Sequence, residues 1–382
     1  MKIHAKNLGV LVAFAAVSTA ASAAGQDRPP RRPAGTLPDA GVAGSPVLPV
    51  ERWETVAAPA SVGYSPARLD GVRALLRTMN TTGFMAIVGG RVLLQHGDVE
   101  RLSPLFSARK SVTSMLYGNY VASGKVRLDK TLREMHIDDI GGLLPQEREA
   151  TVEHLLTARS GVYHPAANLG DNLPDAPPRG SQRPGAYYLY NNWDFNTLGT
   201  IFERETGRDF YDALETDIVR PVGMQDWRRD RQLRTNDTKQ SDHPACHMVF
   251  STRDMARLGF LMLREGRWGD HQVIPVDWVR RSTRAITHVN EMNPPKVRQG
   301  HAGGYGFLWW VWEDREPREA FEGVYLAQGA YGQFIVVLPK LDMVVAHKVA
   351  VSPYRPERQV SWEEFERLMD AIVGARESGP QR

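Results

Sequence analysis

Ser107-Ala108-Arg109-Lys110 is the stretch on which the reading of this chain turns, because it is the only place where a Ser is followed three residues later by a Lys. It follows a short apolar run and opens a segment, Ser107 to Ser123, with helical character. At helical spacing, positions i and i+3 share one face, so the Lys amine can stand beside the Ser hydroxyl. A lone Ser is a poor nucleophile at neutral pH and needs an adjacent base. A Lys held in a dry pocket can be that base, since desolvation favours its neutral form. A helix N-terminus also presents free N–H groups to a developing oxyanion. The competing reading of the four residues alone is an exposed Ser cap with a solvated Lys.

Two further segments carry chemistry. Tyr190-Asn191-Asn192 lies just past a long loop and just before a segment of helical pattern, Asn196 to Gly207. A phenol can accept or relay a proton beside an ammonium, and an Asn two residues on can orient a substrate amide or the Lys. The other Tyr-x-Asn, Tyr117-Gly118-Asn119, falls inside the Ser107 helix and reads as packing. Ala327-Gln328-Gly329-Ala330 sits on an expected strand, and a Gly-punctuated strand indicates close backbone approach to something, a ligand included.

The surroundings are those of a folded, exported protein. The 382 residues carry a formal charge of +3, about +1 without Lys2 and Lys6, so nothing in the charge points to nucleic acid. Lys2 and Lys6, the apolar Leu8 to Ala16 and the small residues Ala21-Ser22-Ala23 predict a cleavable signal over residues 1–23, hence a periplasmic or secreted protein. That run is too short for a membrane span. Cys246 is the single cysteine, which excludes an intramolecular disulfide. Residues 24–60, rich in Pro, Gly and Ala, read as a linker. His243-Pro244-Ala245-Cys246-His247 has a metal-like composition but no supporting ligand elsewhere, and reads as a packed Cys with loop histidines.

Helical spacing is expected over Pro66 to Asn80, Val152 to Thr157, Ser251 to Glu265, Pro275 to Ser282 and Trp362 to Ile372. A hairpin is expected at Phe84 to Val88 and Val92 to Gln95 around Gly89-Gly90. Strands are expected at Phe307 to Trp312, Val324 to Gln328, Phe334 to Leu338 and Met343 to Lys348. The long Gly161 to Gly185 loop is read as functional, with Tyr163 to Tyr187 lid-like over a cleft. The order argues an α+β fold, an antiparallel sheet flanked by helices. Residues 61–106 and 245–382 would form the α/β subdomain and 107–244 an inserted, mostly helical one.

With these segments on the page, the chain resembles the serine β-lactamase and penicillin-binding-protein superfamily, and within it the class C β-lactamase-related serine hydrolases, such as family VIII carboxylesterases, D-aminopeptidases and 6-aminohexanoate-dimer hydrolases. The resemblance runs from about Ser61 to Ile372. It is carried by the Ser-x-x-Lys and Tyr-x-Asn motifs and by four ordered blocks: His154-Leu155-Leu156-Thr157 with Ser160-Gly161; Leu198-Gly199 with Glu205-Thr206-Gly207; Ser251 to Gly259 with Val273-Ile274-Pro275 and Trp278; and Gly304 to Trp310.

The resemblance implies that Ser107 is the acylated nucleophile, with Lys110 and Tyr190 sharing general-base and general-acid work. Asn192 would orient substrate or Lys110, Gln328 and Gly329 would line the cleft, and the N–H groups of Ser107 and Ala330 would form an oxyanion hole. It implies a small ester or amide as substrate and no metal or organic cofactor. One departure matters. Where the superfamily's lactamases and peptidases carry a Lys or His before a Thr-Gly pair, this chain has Ala327-Gln328-Gly329. The cation that helps bind a β-lactam or peptide carboxylate is missing there, and Arg109 is a candidate to replace it. The departure weighs against the alternatives of β-lactamase and D-aminopeptidase or DD-peptidase, while the backbone oxyanion donor survives side-chain change. A non-catalytic penicillin-binding-like protein is the remaining alternative, and the intact Ser, Lys and Tyr speak against it. There is no Gly-x-Ser-x-Gly elbow, phosphate loop or dinucleotide fingerprint.

Overall fold

The structure, a computed structural model, describes residues 47–49, 51–168, 170, 172–299, 303–313, 318–350 and 359–377. The expected leader, residues 1–23, and residues 24–46 of the expected linker lie outside the described residues.

The chain starts with α1 (Pro66–Thr78), which Ser65 caps through its side chain, and continues into the hairpin β1 (Gly83–Val88) and β2 (Arg91–Gly97). Gly90 turns this hairpin at φ +79°, and a Cβ there would fall 1.8 Å from Val47 O, so only glycine fits. Two residues ahead of α1 already lie against the hairpin: Val47 N–H donates to Gly89 O and Val56 N–H to Val92 O. After β3 (Ser103–Pro104) come α2 (Arg109–Ala122), α3 (Val152–Leu156), α4 (Asn192–Thr206) and α5 (Phe210–Leu214). Three short strands follow, β4 (Leu233–Thr235), β5 (Ala245–His247) and β6 (Val249–Phe250), before α6 (Thr252–Leu263). The hairpin β7 (Arg267–Trp268) and β8 (His271–Gln272) leads to α7 (Val276–Ser282). The last stretch holds β9 (Gly303–Tyr305), β10 (Trp310–Trp312), β11 (Tyr325–Gly329), β12 (Gln333–Leu338), β13 (Met343–Lys348) and α8 (Trp362–Gly374).

Seven strands form one antiparallel sheet in the order β2-β1-β13-β12-β11-β10-β9. The two ends of the chain therefore meet at the β1–β13 pair, with Gly83 opposite Lys348 and Val88 opposite Met343. Strands β1, β12 and β13 are buried along their whole length, as expected of strands covered on both faces. One cover is α8, whose Phe365 ring stacks on Phe334 with centroids 3.8 Å apart. The other is α6, whose residues Met255 to Leu263 are all buried. This is the expected α+β arrangement of an antiparallel sheet flanked by helices.

Two elements differ from the sequence expectation. Phe307 to Trp312 is not one strand. Gly306 N–H donates to Trp309 O, and Leu308 sits at φ +61°, so a tight turn separates β9 from β10. The turn is held from outside, because Leu308 N–H donates to Leu156 O and Leu308 O accepts from the Ser111 hydroxyl at 2.7 Å. The α4 helix begins at Asn192 rather than Asn196, because the Asn191 side chain accepts from Asp194 N–H and caps it four residues earlier.

Candidate active site

Ser107 lies in a 3-10 turn, Phe106–Ala108, at the point where β3 gives way to α2. Phe106 adopts φ +49°, a left-handed conformation rare for a bulky residue. Helix α2 is buried on nearly all sides from Arg109 to Gly118, so it is a central helix rather than a surface one. At its second position, Lys110 is 2 % exposed.

The Lys110 ammonium joins the residues singled out in the sequence. Its Nζ donates to Ser107 Oγ at 3.2 Å, to Tyr190 Oη at 2.5 Å and to Asn192 Oδ1 at 2.8 Å. Two aromatic faces flank it, with ring centroids at 4.1 Å (Tyr190) and 4.4 Å (Phe195), an arrangement that favours a cation where water is scarce. The Tyr190 ring is fixed in turn: it stacks on Trp310 (5.7 Å, 26°) and meets Phe195 at 4.7 Å and Tyr305 at 6.1 Å. The end of the long loop before α4 thus delivers Tyr190, and the capped first turn of α4 delivers Asn192 and Phe195.

The third segment approaches from the sheet. Among the described residues, β10 pairs with β11 only through Trp310↔Leu326 and Val311↔Tyr325, so Ala327–Gly329 runs on past the end of β10. At Gly329 a Cβ would fall 2.3 Å from Leu105 O and 2.9 Å from Ala108 N. Backbone therefore packs on backbone between β11 and the Ser107 turn, and glycine is required there. Register puts Gln328 opposite Phe334, on the face that α8 covers, while Ala327 and Gly329 alternate to the other face. Gln328 Oε1 is buried without a hydrogen-bond partner. Ala330, just beyond the strand, is exposed.

Arg109, the candidate for the missing charge, points into the interior. It is 2 % exposed and donates to Asn196 Oδ1 at 3.0 Å, and Asn196 donates on to Asn168 Oδ1 at 2.8 Å. The His243–His247 segment spreads apart rather than converging: His243 Nδ1 meets Thr200 Oγ1, His247 Nε2 meets Thr235 Oγ1, and Cys246 is buried. Burial pushes the Cys246 thiol up to about 11 against the pull of Arg234 and Arg109. Burial, followed by the Arg109 and Lys110 charges, pushes His247 down to about 4, so it is neutral at ordinary pH. Tyr117 and Asn119 are packing groups, bonded to Leu198 O and Val273 O.

Several neighbours of the site were given no site role from the sequence, although Tyr305 and Trp310 fall in the Gly304 to Trp310 block. Trp310, Tyr305 and Phe195 are aromatic residues among many, and only the folded chain shows which of them wall Tyr190. Lys348 is a second buried lysine, 1 % exposed, whose Nζ donates to Ser103 O at 2.7 Å and Phe250 O at 2.6 Å. It ties β13 to the β3–β6 pair that leads into Ser107. Asp139 anchors the loops of the helical region, accepting from Trp193 Nε1 at 2.6 Å, Ser241 Oγ at 2.5 Å and Asp242 N at 2.7 Å. The Tyr163–Tyr187 loop is pinned near its end, where the Arg179 guanidinium bonds both Glu147 carboxylate oxygens and Gln146 donates to Gly180 O and Gln182 O.

Comparison with known proteins gives the family and the fold. The family model described as Beta-lactamase matches residues 72–360. An uncharacterised protein of Alkalihalophilus pseudofirmus is 26% identical over 62% of this chain and 70% of its own length. Among solved structures, a penicillin-binding protein homologue from Caulobacter crescentus superposes with a TM-score of 0.59 at 16% identity, covering 82% of this chain and 99% of that one. EstCE1, a hydrolase with promiscuous acyltransferase activity, superposes with a TM-score of 0.57 at 17% identity, covering 81% and 98%.

Proposed function

The chain belongs to the β-lactamase family, and from that premise we propose that it is a serine hydrolase that cleaves a small, neutral ester or amide through an acyl-enzyme on Ser107. The observation that carries the reading is the single amine, Lys110 Nζ, within hydrogen-bond reach of Ser107 Oγ, Tyr190 Oη and Asn192 Oδ1. A nucleophile, a base beside it and a third group orienting the base are the parts that acyl transfer needs.

In the proposed reaction the Lys110–Tyr190 pair starts one proton short of ammonium plus phenol, and the Ser107 hydroxyl proton passes to it as Oγ attacks the carbonyl carbon. The carbonyl oxygen becomes an oxyanion between the N–H groups of Ser107 and Ala330. The C–O or C–N bond then breaks, and the leaving group takes the proton from the same pair. Water attacks the acyl-enzyme by the reverse proton path, releasing the acid and restoring Ser107. Asn192 keeps Lys110 oriented throughout.

Neutral substrates are favoured because Ala327 supplies no charge beside the cleft and Arg109 is committed to Asn196. The test is turnover of p-nitrophenyl acetate and butyrate beside nitrocefin. Ester hydrolysis well above lactam hydrolysis is expected, and the reverse order would make the chain a β-lactamase. Export through residues 1–23 belongs to the same proposal, and N-terminal sequencing of the secreted form tests it.

A further inference from the structure

Phe106 and Tyr331 flank the two groups assigned to the oxyanion. Phe106 immediately precedes Ser107, and Tyr331 immediately follows Ala330. Their rings meet edge to face with centroids 4.9 Å apart at 63°. Both residues are in the left-handed region, at φ +49° and +67°. Bulky L-residues avoid that region, and two of them facing each other across a site are held there by their surroundings. The Tyr331 carbonyl accepts from Val360 N–H, which fixes the turn to the segment before α8. On the inner side, the Gly329 backbone rests on Leu105 O and Ala108 N. The Ser107 turn and the β11–β12 turn therefore touch at two places, and Ser107 and Ala330 lie between them.

From this we infer that Phe106 and Tyr331 are a positioning pair whose ring contact fixes the separation of the Ser107 and Ala330 N–H groups. The inference rests on the serine-hydrolase reading. The backbone contact and the Val360 hydrogen bond hold the β11–β12 turn on its Gly329 side and toward α8. The ring contact adds the brace that faces the Ser107 turn. Transition-state donors need this kind of restraint, because a displacement of about 1 Å can cost on the order of 100-fold in rate. The pair touches neither the nucleophile's base nor the leaving group in this account, so its effect belongs to the chemical step and not to substrate affinity.

The experiment compares Phe106→Ala, Tyr331→Ala, the double variant and Tyr331→Phe on p-nitrophenyl acetate and butyrate, with circular dichroism for folding. Each alanine variant is expected to lose kcat by roughly 10- to 100-fold, with KM within about 2-fold and an equal factor for both esters. The double variant should be no worse than the poorer single one, since either change breaks the same contact. Tyr331→Phe keeps the ring and should keep the rate. Should an alanine variant not fold, Tyr331→Leu carries the same expectation. Losses in KM, a changed preference between acetate and butyrate, multiplying losses or an unchanged kcat would each overturn the pair as a positioning device. A fluorophosphonate probe separates this from the underlying reading. If wild type is labelled and Ser107→Ala is not, an unchanged kcat sinks the pair alone. A wild-type chain that is neither labelled nor active sinks both.

Discussion

Lys110 Nζ stands 2.5 Å from the Tyr190 hydroxyl and 4.1 Å from the centre of its ring. In the proposed reaction the amine and the phenol act as one unit for moving a proton. Lys110→Met and Tyr190→Phe should each lower kcat/KM by about 100- to 10,000-fold. Combined, they should cost little more than the worse of the two, because groups acting as a unit are non-additive. Multiplying losses in steady-state kinetics would mean that the two residues act in separate steps.

Gly329 should tolerate no side chain. The Cβ of Gly329→Ala would sit 2.3 Å from Leu105 O, a backbone atom that cannot swing away. The variant should be destabilised by about 1–3 kcal/mol, as overpacking usually is, and should lose activity as β11 moves off the Ser107 turn. Thermal melting and ester turnover read both effects. Full activity at an unchanged Tm would show that the close approach is dispensable.

Lys348 makes stability depend on pH in the alkaline range. Burial lowers its pKa from the usual 10.5 to about 7, while the Asp254 charge pulls the other way. Between about pH 7 and 10.5 the unfolded chain holds this proton more than the folded chain does, so the group's contribution to stability rises with pH by up to about 1.4 kcal/mol per unit. Below pH 7 both states are protonated and the full cost of burying the charge is present. The free energy of urea unfolding, measured at pH 7, 8.5 and 10 against Lys348→Met, should therefore diverge from the variant as pH rises. Parallel curves would contradict a lysine buried in this way.

Asp139 is expected to be a stability residue without a direct part in turnover. Burial pushes its carboxyl up, but hydrogen bonds from Ser241, Asp242, Ile140 and Trp193 outweigh this and hold it below the usual range. Asp139→Ala strands those donors and should cost about 3–5 kcal/mol, on the scale of breaking a buried charged contact. Urea unfolding checks it. A loss below about 0.5 kcal/mol, the range of an ordinary surface substitution, would remove Asp139 from that role.

What the sequence reveals here follows from how local each signal is. Met343–Lys348 and Gln333–Leu338 match the expected strands almost residue for residue, because short apolar runs enriched in β-branched residues and bounded by turn residues favour a strand. Ser107, Lys110, Tyr190 and Asn192 were singled out in the sequence, and hydrogen bonds to Lys110 Nζ bring them together. The turn at Leu308 was not legible, since what holds it is remote: Leu156 O on one side and the Ser111 hydroxyl on the other. The same is true of the early start of α4, which depends on a cap formed by an Asn already assigned to the site. Phe106 and Tyr331 are 225 positions apart in the chain, and no spacing rule joins them. Arg109 shows the converse error. It was one candidate for the cation missing at Ala327-Gln328-Gly329, but the helix turns it inward to Asn196.

The central claim is a covalent acyl-enzyme on Ser107, and peptide-level mass spectrometry after reaction with a fluorophosphonate tests it most directly. The account predicts one adduct, on the peptide containing Ser107, in the wild-type protein, and none in a folded Ser107→Ala variant. An adduct on another residue, or equal labelling of both proteins, would contradict it.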